Sequence, residues 1–253
     1  MTSTSLIEDR VEELKAALVF CTRLPLFRTV PVAAAAIGKA AWAFPLAGLV
    51  VGLIGAVVYG LAHRFGVPVW PAAALAVTAT LLATGALHED GLADTADGFG
   101  GGNSREQKLA IMRDSRIGTY GVCALALSLV LRVGALASLP SAHAVVWALL
   151  AAHAAARATM PALMLLLPAR SDGLSHDAGQ PAGAGVAAAA AIGFLVLVFC
   201  LPLGRAIVAL ILLVAIVALM AWLATRQIGG QTGDVLGALE QVGEIAVLLA
   251  ALG

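Results

Sequence analysis

Residues 40–62, AAWAFPLAGLVVGLIGAVVYGLA, contain no charged side chain and decide the fold of this chain. A helix needs about 20 mainly apolar residues to cross the hydrocarbon core of a bilayer, and this run is long enough. Comparable apolar runs lie at 70–87, 120–139, 145–167, 186–203 and 207–223. A further run, 242–252, is too short to span unless its helix begins earlier, near Leu236. We therefore expect six membrane helices and, at the C-terminal end, either a seventh or a half-inserted helix.

The composition supports a membrane protein. Hydrophobic residues make up 61% of the chain and charged residues 12%, whereas soluble domains average about 25% charged residues. The apolar runs are continuous rather than alternating, which favours helices over barrel strands. The net charge of +0 gives no sign of nucleic-acid binding. We predict a single all-α integral membrane domain, a polytopic transmembrane helical bundle over residues 1–253.

The N-terminal segment, residues 1–30, differs from the rest of the chain. Its apolar side chains recur at helical spacing, with acidic residues on the other face. This pattern predicts an amphipathic helix that lies on the membrane surface or on the bundle. No basic region precedes an apolar core, so the segment does not resemble a cleaved signal peptide.

Lysine and arginine are distributed unevenly between the two ends of the predicted helices. They are frequent before the first apolar run and in residues 88–119, whereas the turn near Pro140 has none. Basic loops usually stay in the cytoplasm. We therefore expect the N-terminus and segment 88–119 to be cytoplasmic.

Segment 88–119 begins with HEDGLADTADG, which we predict to be the catalytic centre. Asp90, Asp94 and Asp97 are spaced i, i+4 and i+7, so on a helix they share one face. Glu89 is offset by about 100°. Carboxylate oxygens are the ligands that Mg²⁺ prefers, so these four acids are predicted to hold one or two Mg²⁺ ions. The plain alternative is a solvated acidic loop, and the adjoining His88 could relay a proton or only support the cluster.

Four basic side chains and Ser115 follow in the same segment, and we predict that they bind phosphate. The candidates are Arg105, Lys108, Arg113, Ser115 and Arg116. Arginine binds phosphate oxygens in a bidentate manner, although the same charges could simply mark the cytoplasmic side. The glycine-rich stretch between the acids and the cations, residues 98–102, could be a hinge or a phosphate-contacting backbone.

Several charged residues lie elsewhere in the apolar runs. Arg157 follows His153 by one helical turn and could either reach the active site or form a structural pair. Arg132 is expected to extend toward the outer interface. Asp234 is a further candidate for ligand or base. Glu240 and Glu244 are expected to cap or solvate the last helix. Cys21, Cys123 and Cys200 have no metal-type spacing and are expected to be packing residues.

Three segments resemble those of one enzyme family. They are HEDGLADTADGFGGG at 88–102, IMRDSRIGTYG at 111–121 and GGQTGDVLGALEQVGE at 229–244. FCTRLP and AFPLAGLVVGLIGA in the N-terminal part add to the likeness. Together they resemble the cobalamin synthase, or adenosylcobinamide-GDP ribazoletransferase, family.

The resemblance implies a Mg²⁺-dependent, multi-pass enzyme of the bacterial inner membrane. It would join adenosylcobinamide-GDP to α-ribazole, or to α-ribazole 5′-phosphate, and release GMP. The acids would then hold Mg²⁺ against the diphosphate, and the cations, with Arg157 and Asp234, would contact substrate. The base would be Asp97, Asp114 or His88.

Two other classes of membrane protein fit less well. CDP-alcohol phosphotransferases and intramembrane prenyltransferases also use aspartate-rich helices, but Asp94 stands where the former pattern expects arginine. A transporter would need acids at mid-membrane depth and internal repeats. The alanine- and glycine-rich helix faces also allow self-association.

Overall fold

In the computed structural model, which describes residues 3–25, 33–170 and 174–253, the chain folds into α-helices joined by short turns. The helices are α1 (Ser3–Cys21), α2 (Ala34–Ala40), α3 (Phe44–Arg64), α4 (Val69–Thr84), α5 (Leu87–Gly101), α6 (Arg105–Met112), α7 (Thr119–Ser138), α8 (Ala142–Leu166), α9 (Leu174–Ala178), α10 (Gly183–Cys200), α11 (Leu203–Ile228) and α12 (Gly233–Ala250). A 3-10 turn, Ala41–Ala43, links α2 to α3. The predicted all-α bundle is confirmed.

Within the described residues, five helical segments are long and apolar enough to cross a membrane. They are Ala34–Arg64, which runs through α2 and α3, and the helices α7, α8, α10 and α11. In the most apolar window of α8, 72% of residues are buried, against 17% in α10 and 22% in α11. Helix α8 is therefore central, and α10 and α11 turn most of their apolar side chains outward, as expected for helices in contact with lipid.

The predicted span at 70–87 differs in the structure. Helix α4 ends at Thr84 because Gly85 adopts a left-handed conformation with φ 68°. Ala86 follows with φ 57°, and α5 then leaves at 90° to α4. With 16 residues, α4 is shorter than the roughly 20 that a span needs. A sixth span therefore exists only if α4 and α5 are counted together.

The C-terminal apolar run belongs to a longer helix than the run itself. Helix α12 begins at Gly233, ahead of Leu236, and its side chains are mostly buried against α5, α8 and α11. It carries Asp234, Glu240 and Glu244 within 18 residues. Helix α12 is therefore an interior helix of the bundle, and it is not one of the five apolar spans.

Helix α1 confirms the predicted N-terminal helix within residues 3–25, and the remainder of segment 1–30 lies outside the described residues. Its C-terminal half packs into the bundle, where Ala17 and Cys21 are buried in the same cluster as Phe44. Ile7 and Val11 in its first half are 63% and 45% exposed. The C-terminal half of the helix is thus packed most deeply on protein, and Glu13 adds a contact by accepting a hydrogen bond from Trp42 Nε1 at 2.6 Å.

The apolar core has two clusters, one at each end of the central helices. One includes Leu149 of α8 and Val247 of α12, and the other includes Met160 of α8 and Leu239 of α12. Between these positions, both helices carry buried charged side chains, described below.

Candidate active site

The aspartates of the 88–98 segment lie on α5, as predicted. Asp90 is exposed, Asp94 is half-buried and Asp97 is buried. Asp94 interacts electrostatically with Asp90, Asp97 and Asp234 of α12. The structure therefore brings three predicted metal ligands together with Asp234. We call these four residues the acid row.

Close packing of α5 against α12 brings Asp234 to the acid row. A Cβ atom added at Gly91 would lie 2.8 Å from the backbone oxygen of Asp234, and one at Gly237 would lie 3.1 Å from the backbone oxygen of His88. Glycine on each helix therefore allows the two backbones to approach closely. The Thr232 side chain caps the first turn of α12 by accepting a hydrogen bond from the Val235 N–H at 3.3 Å.

Asp97 has a structural partner that the sequence did not reveal. Its Oδ2 accepts a hydrogen bond from the Gly118 N–H at 2.7 Å, and its Oδ1 accepts one from the Gly121 N–H at 2.9 Å. These N–H groups belong to the start of α7, where backbone donors lack partners within the helix. Asp97 therefore caps α7 from α5. The two glycines are required because a side chain at either position would overlap the carboxylate.

The glycine-rich stretch at 98–102 is mostly helical. Residues Gly98 to Gly101 belong to α5. Gly98 packs against Met112, and a Cβ at Gly100 would lie 2.8 Å from the Tyr120 ring. These glycines allow α6 and α7 to approach α5, which accounts for them without a hinge or a phosphate loop.

The predicted phosphate-binding residues lie in and after α6. Lys108 Nζ donates a hydrogen bond to the Phe99 backbone oxygen at 2.8 Å, and Ser115 is exposed. Arg113 is the C-cap of α6 and Arg116 lies beyond the helix, so the two arginines do not share a helix face. Arg116 is 87% exposed, and its guanidinium and backbone N–H groups donate hydrogen bonds to Asp114, which lower the pKa of that carboxyl to about 2.

Arg170, for which no site role was predicted, joins this group of cations. A Cβ at Gly229 would lie 3.1 Å from Nη1 of Arg105 and 3.7 Å from Nη1 of Arg170. The Arg170 backbone N–H also donates to the Gln231 carbonyl at 3.0 Å. Arg105 and Arg170 therefore meet at the turn that leads into α12, the helix that carries Asp234.

Seven charged or titratable residues of α5, α7, α8 and α12 form a buried network. Glu89 Oε1 lies 2.8 Å from Arg132 Nη1, and Glu244 Oε1 lies 2.9 Å from Arg132 Nε. Arg157 Nη1 lies 2.6 Å from Glu240 Oε1. His88 and His153, each 1% exposed, complete the network. We call these seven residues the buried charge network.

The network corrects two expectations. Arg132 does not extend to the outer interface, because it is 1% exposed and paired with Glu89 and Glu244. Glu240 and Glu244 do not solvate the last helix, since they are 0% and 2% exposed. Of the two roles considered for Arg157, this conformation shows the structural pair, with Glu240 as its partner. Buried charges in a membrane protein require partners, and here the partners come from other helices.

The network also contains the one group of three histidine, cysteine or acidic residues, within the described part of the chain, that is compact enough for a single metal ion to contact all three. Potential ligand atoms of His153, Glu240 and Glu244 lie within 4.8 Å of one another. Arg157 and Arg132 already pair with these two glutamates. Their guanidinium groups therefore supply the positive charge that a metal ion would otherwise bring. The acid row has oxygen donors alone, which suit Mg²⁺.

Comparison with known proteins identifies the family. The family model of cobalamin-5-phosphate synthase matches residues 13–252. The chain belongs to the cobalamin-5-phosphate synthase family. No solved structure matches it significantly.

Relatives of the cobalamin-5-phosphate synthase family match almost the whole chain. The adenosylcobinamide-GDP ribazoletransferase of Bradyrhizobium diazoefficiens is 57% identical over 249 residues, covering 98% of this chain and 96% of that protein. The protein of the same name from Mesorhizobium japonicum is 55% identical over 246 residues, covering 95% of this chain and 93% of that protein. A third, from Azorhizobium caulinodans, is 47% identical over 256 residues, covering 95% of each chain.

Proposed function

We propose that this membrane protein joins adenosylcobinamide-GDP to α-ribazole, or to α-ribazole 5′-phosphate, and releases GMP. The observation that carries the proposal is the 57% identity, over 98% of the chain, to a ribazoletransferase. The geometry supports it because a diphosphate substrate needs metal-binding oxygens and cations side by side. The acid row and the neighbouring arginines provide both.

The reaction is a substitution at phosphorus. A ribose hydroxyl of the ribazole forms an O–P bond to the phosphate attached to cobinamide. The P–O bond to GMP breaks, and GMP leaves with that electron pair. The hydroxyl proton passes to a base of the protein. Placing the two substrates in line is the main task of such a site.

We propose that Mg²⁺ binds at the acid row. Mg²⁺ is usually held by one or two protein carboxylates together with phosphate oxygens and water, so Asp90, Asp94 and Asp234 need not enclose it. When bound, Mg²⁺ would neutralise charge on the diphosphate. Glu89 is the predicted ligand that fits least, because its side chain pairs with Arg132.

Among the three candidates for the general base, we propose Asp97. His88 is 1% exposed, so it does not contact substrate in this conformation. Asp114 is held ionised by Arg116, which lowers its pKa to about 2. Asp97 lies in the acid row, and each of its oxygens keeps a further lone pair beside its hydrogen bond to α7.

We propose that five cations contact phosphate oxygens of the substrate. They are Arg105, Lys108, Arg113, Arg116 and Arg170. Four of them lie in segment 105–116, and basic segments stay in the cytoplasm, which supports a site that faces the cytoplasm of the bacterial inner membrane.

Purified protein in lipid vesicles tests the proposal. With adenosylcobinamide-GDP, α-ribazole and Mg²⁺, we expect GMP and a cobalamin product in equal amounts, and no GMP without the ribazole. Asp94→Asn should abolish both products, and Asp177→Asn, at an exposed position of α9, is the matched control. Absence of both products in the unaltered protein would refute the proposed activity.

A further inference from the structure

The buried charge network connects the helix of the acid row to the rest of the bundle. Arg132 of α7 is its centre. Its guanidinium group contacts Glu89 of α5 at 2.8 Å, Glu244 of α12 at 2.9 Å and Gln241 of α12 at 2.9 Å. Thr80 of α4 lies 3.4 Å away. A single side chain therefore contacts residues of three other helices.

Glu89 is the point at which this network reaches α5. It directly precedes Asp90, the first residue of the acid row, but its side chain lies against α7 instead. Its exposure is 6%, whereas Asp90 is exposed. Because α5 has just turned by 90° at Gly85 and Ala86, its first turn needs a fixed contact. The Glu89–Arg132 pair provides it.

We propose that Glu89 and Arg132 are positioning residues for the acid row. Their ion pair fixes the first turn of α5 against α7, and thereby the place of Asp90 and Asp94 relative to Asp234. This inference rests on the proposed function, and it reassigns Glu89 from metal ligand to support.

The charges of the network predict which variants fold. Three carboxylates, Glu89, Glu240 and Glu244, face two guanidinium groups, Arg132 and Arg157. These five groups together carry one negative charge in excess. Glu89→Gln removes that excess, and Arg132→Gln adds to it and leaves two carboxylates without their partner. The double variant restores the original balance.

Binding of Mn²⁺ to the substrate-free protein separates positioning from direct ligation. Arg132→Gln keeps every carboxylate of the protein. If Arg132 and Glu89 position the acid row, both single variants should weaken Mn²⁺ binding, and Glu89→Gln should weaken it no further in the Arg132→Gln background. Two results would overturn the proposal, because both indicate that Glu89 is itself a ligand. In the first, Glu89→Gln weakens Mn²⁺ binding and Arg132→Gln does not. In the second, both variants weaken it and their effects multiply in the double variant.

Thermal unfolding and turnover complete the test. We expect Glu89→Gln to melt close to the unaltered protein while kcat falls about 10- to 100-fold, because small displacements of reacting groups have effects of that size. Arg132→Gln should melt at a lower temperature, and the double variant should recover part of the loss. Ser128→Ala, which removes a buried 3.2 Å hydrogen bond between α7 and Gln241, is the control and should keep its kcat.

The two proposals fail in different ways. If the unaltered protein releases no GMP, the transferase activity is refuted, and Mn²⁺ binding still decides the positioning role. If the unaltered protein is active and Glu89→Gln keeps both full kcat and full Mn²⁺ affinity, the positioning role is refuted and the activity stands.

Discussion

Arg157 Nη1 lies 2.6 Å from Glu240 Oε1, and both side chains are at most 1% exposed. The pair joins the central helix α8 to α12, between the two apolar clusters. A pair of this kind is strongly destabilising to break, because the remaining charge has neither water nor partner.

Arg157→Met should therefore unfold more easily. We expect a loss of about 3–5 kcal/mol in the free energy of unfolding, since Glu240 would stay buried without its partner. Thermal unfolding in detergent measures the effect. Arg157→Met combined with Glu240→Met should be more stable than the single variant. An unchanged melting temperature for Arg157→Met would contradict a structural pair and return Arg157 to the substrate-binding group.

Gly91→Ala should separate α5 from α12. The added methyl group would lie 2.8 Å from the Asp234 backbone oxygen, so one of the two helices must move. We expect lower thermal stability and a higher Mg²⁺ requirement. Gly60→Ala is the control, since a Cβ there meets nothing within 4 Å and alanine favours a helix by about 0.5–1 kcal/mol. Equal behaviour of the two variants would contradict the close crossing.

Asp97→Asn should lose both its cap and its activity. The amide nitrogen cannot accept a hydrogen bond from an N–H, so one of the two donors in α7 loses its partner. Loss of a helix cap lowers stability by about 1 kcal/mol. Unfolding and turnover are measured on the same preparation. If stability falls while turnover is kept, Asp97 is a cap only, and it is not the base.

The pH profile distinguishes Asp114 from a base. Its depressed pKa of about 2 means that its pair with Arg116 is complete above the ordinary pKa of aspartate and is lost only as the pH falls through about 2. Turnover of the unaltered protein and of Asp114→Asn should therefore show the same pH dependence between about pH 5 and 9. Disappearance of an acidic limb in the variant would make Asp114 the base.

The spans and the acid row could be predicted from local pattern alone. The lengths of the apolar runs correctly predicted five of the six expected spans. The i, i+4, i+7 spacing placed Asp90, Asp94 and Asp97 on one face of α5. The break of α4 has a weak local signal, a single glycine at Gly85 inside an apolar run. Its left-handed conformation ended the helix before it reached full span length.

The buried charge network could not be predicted in the same way. Arg132 pairs with Glu89 and Glu244, which are far from it in the sequence. Each of these residues, considered alone, resembles a side chain that reaches water. Only the packing of α5, α7 and α12 shows that these charges form ion pairs with one another. The capping role of Asp97 could not be predicted either, because its hydrogen-bond partners lie on another helix, at the start of α7.

The most direct test of the account is GMP release from adenosylcobinamide-GDP and α-ribazole as Mg²⁺ is titrated, for the unaltered protein and Asp94→Asn in vesicles. We predict release that saturates with Mg²⁺, stops with a chelator and is lost in Asp94→Asn at every Mg²⁺ concentration, while Asp177→Asn behaves like the unaltered protein. Release by Asp94→Asn at the full rate, or release that is indifferent to the chelator, would contradict a metal-binding acid row.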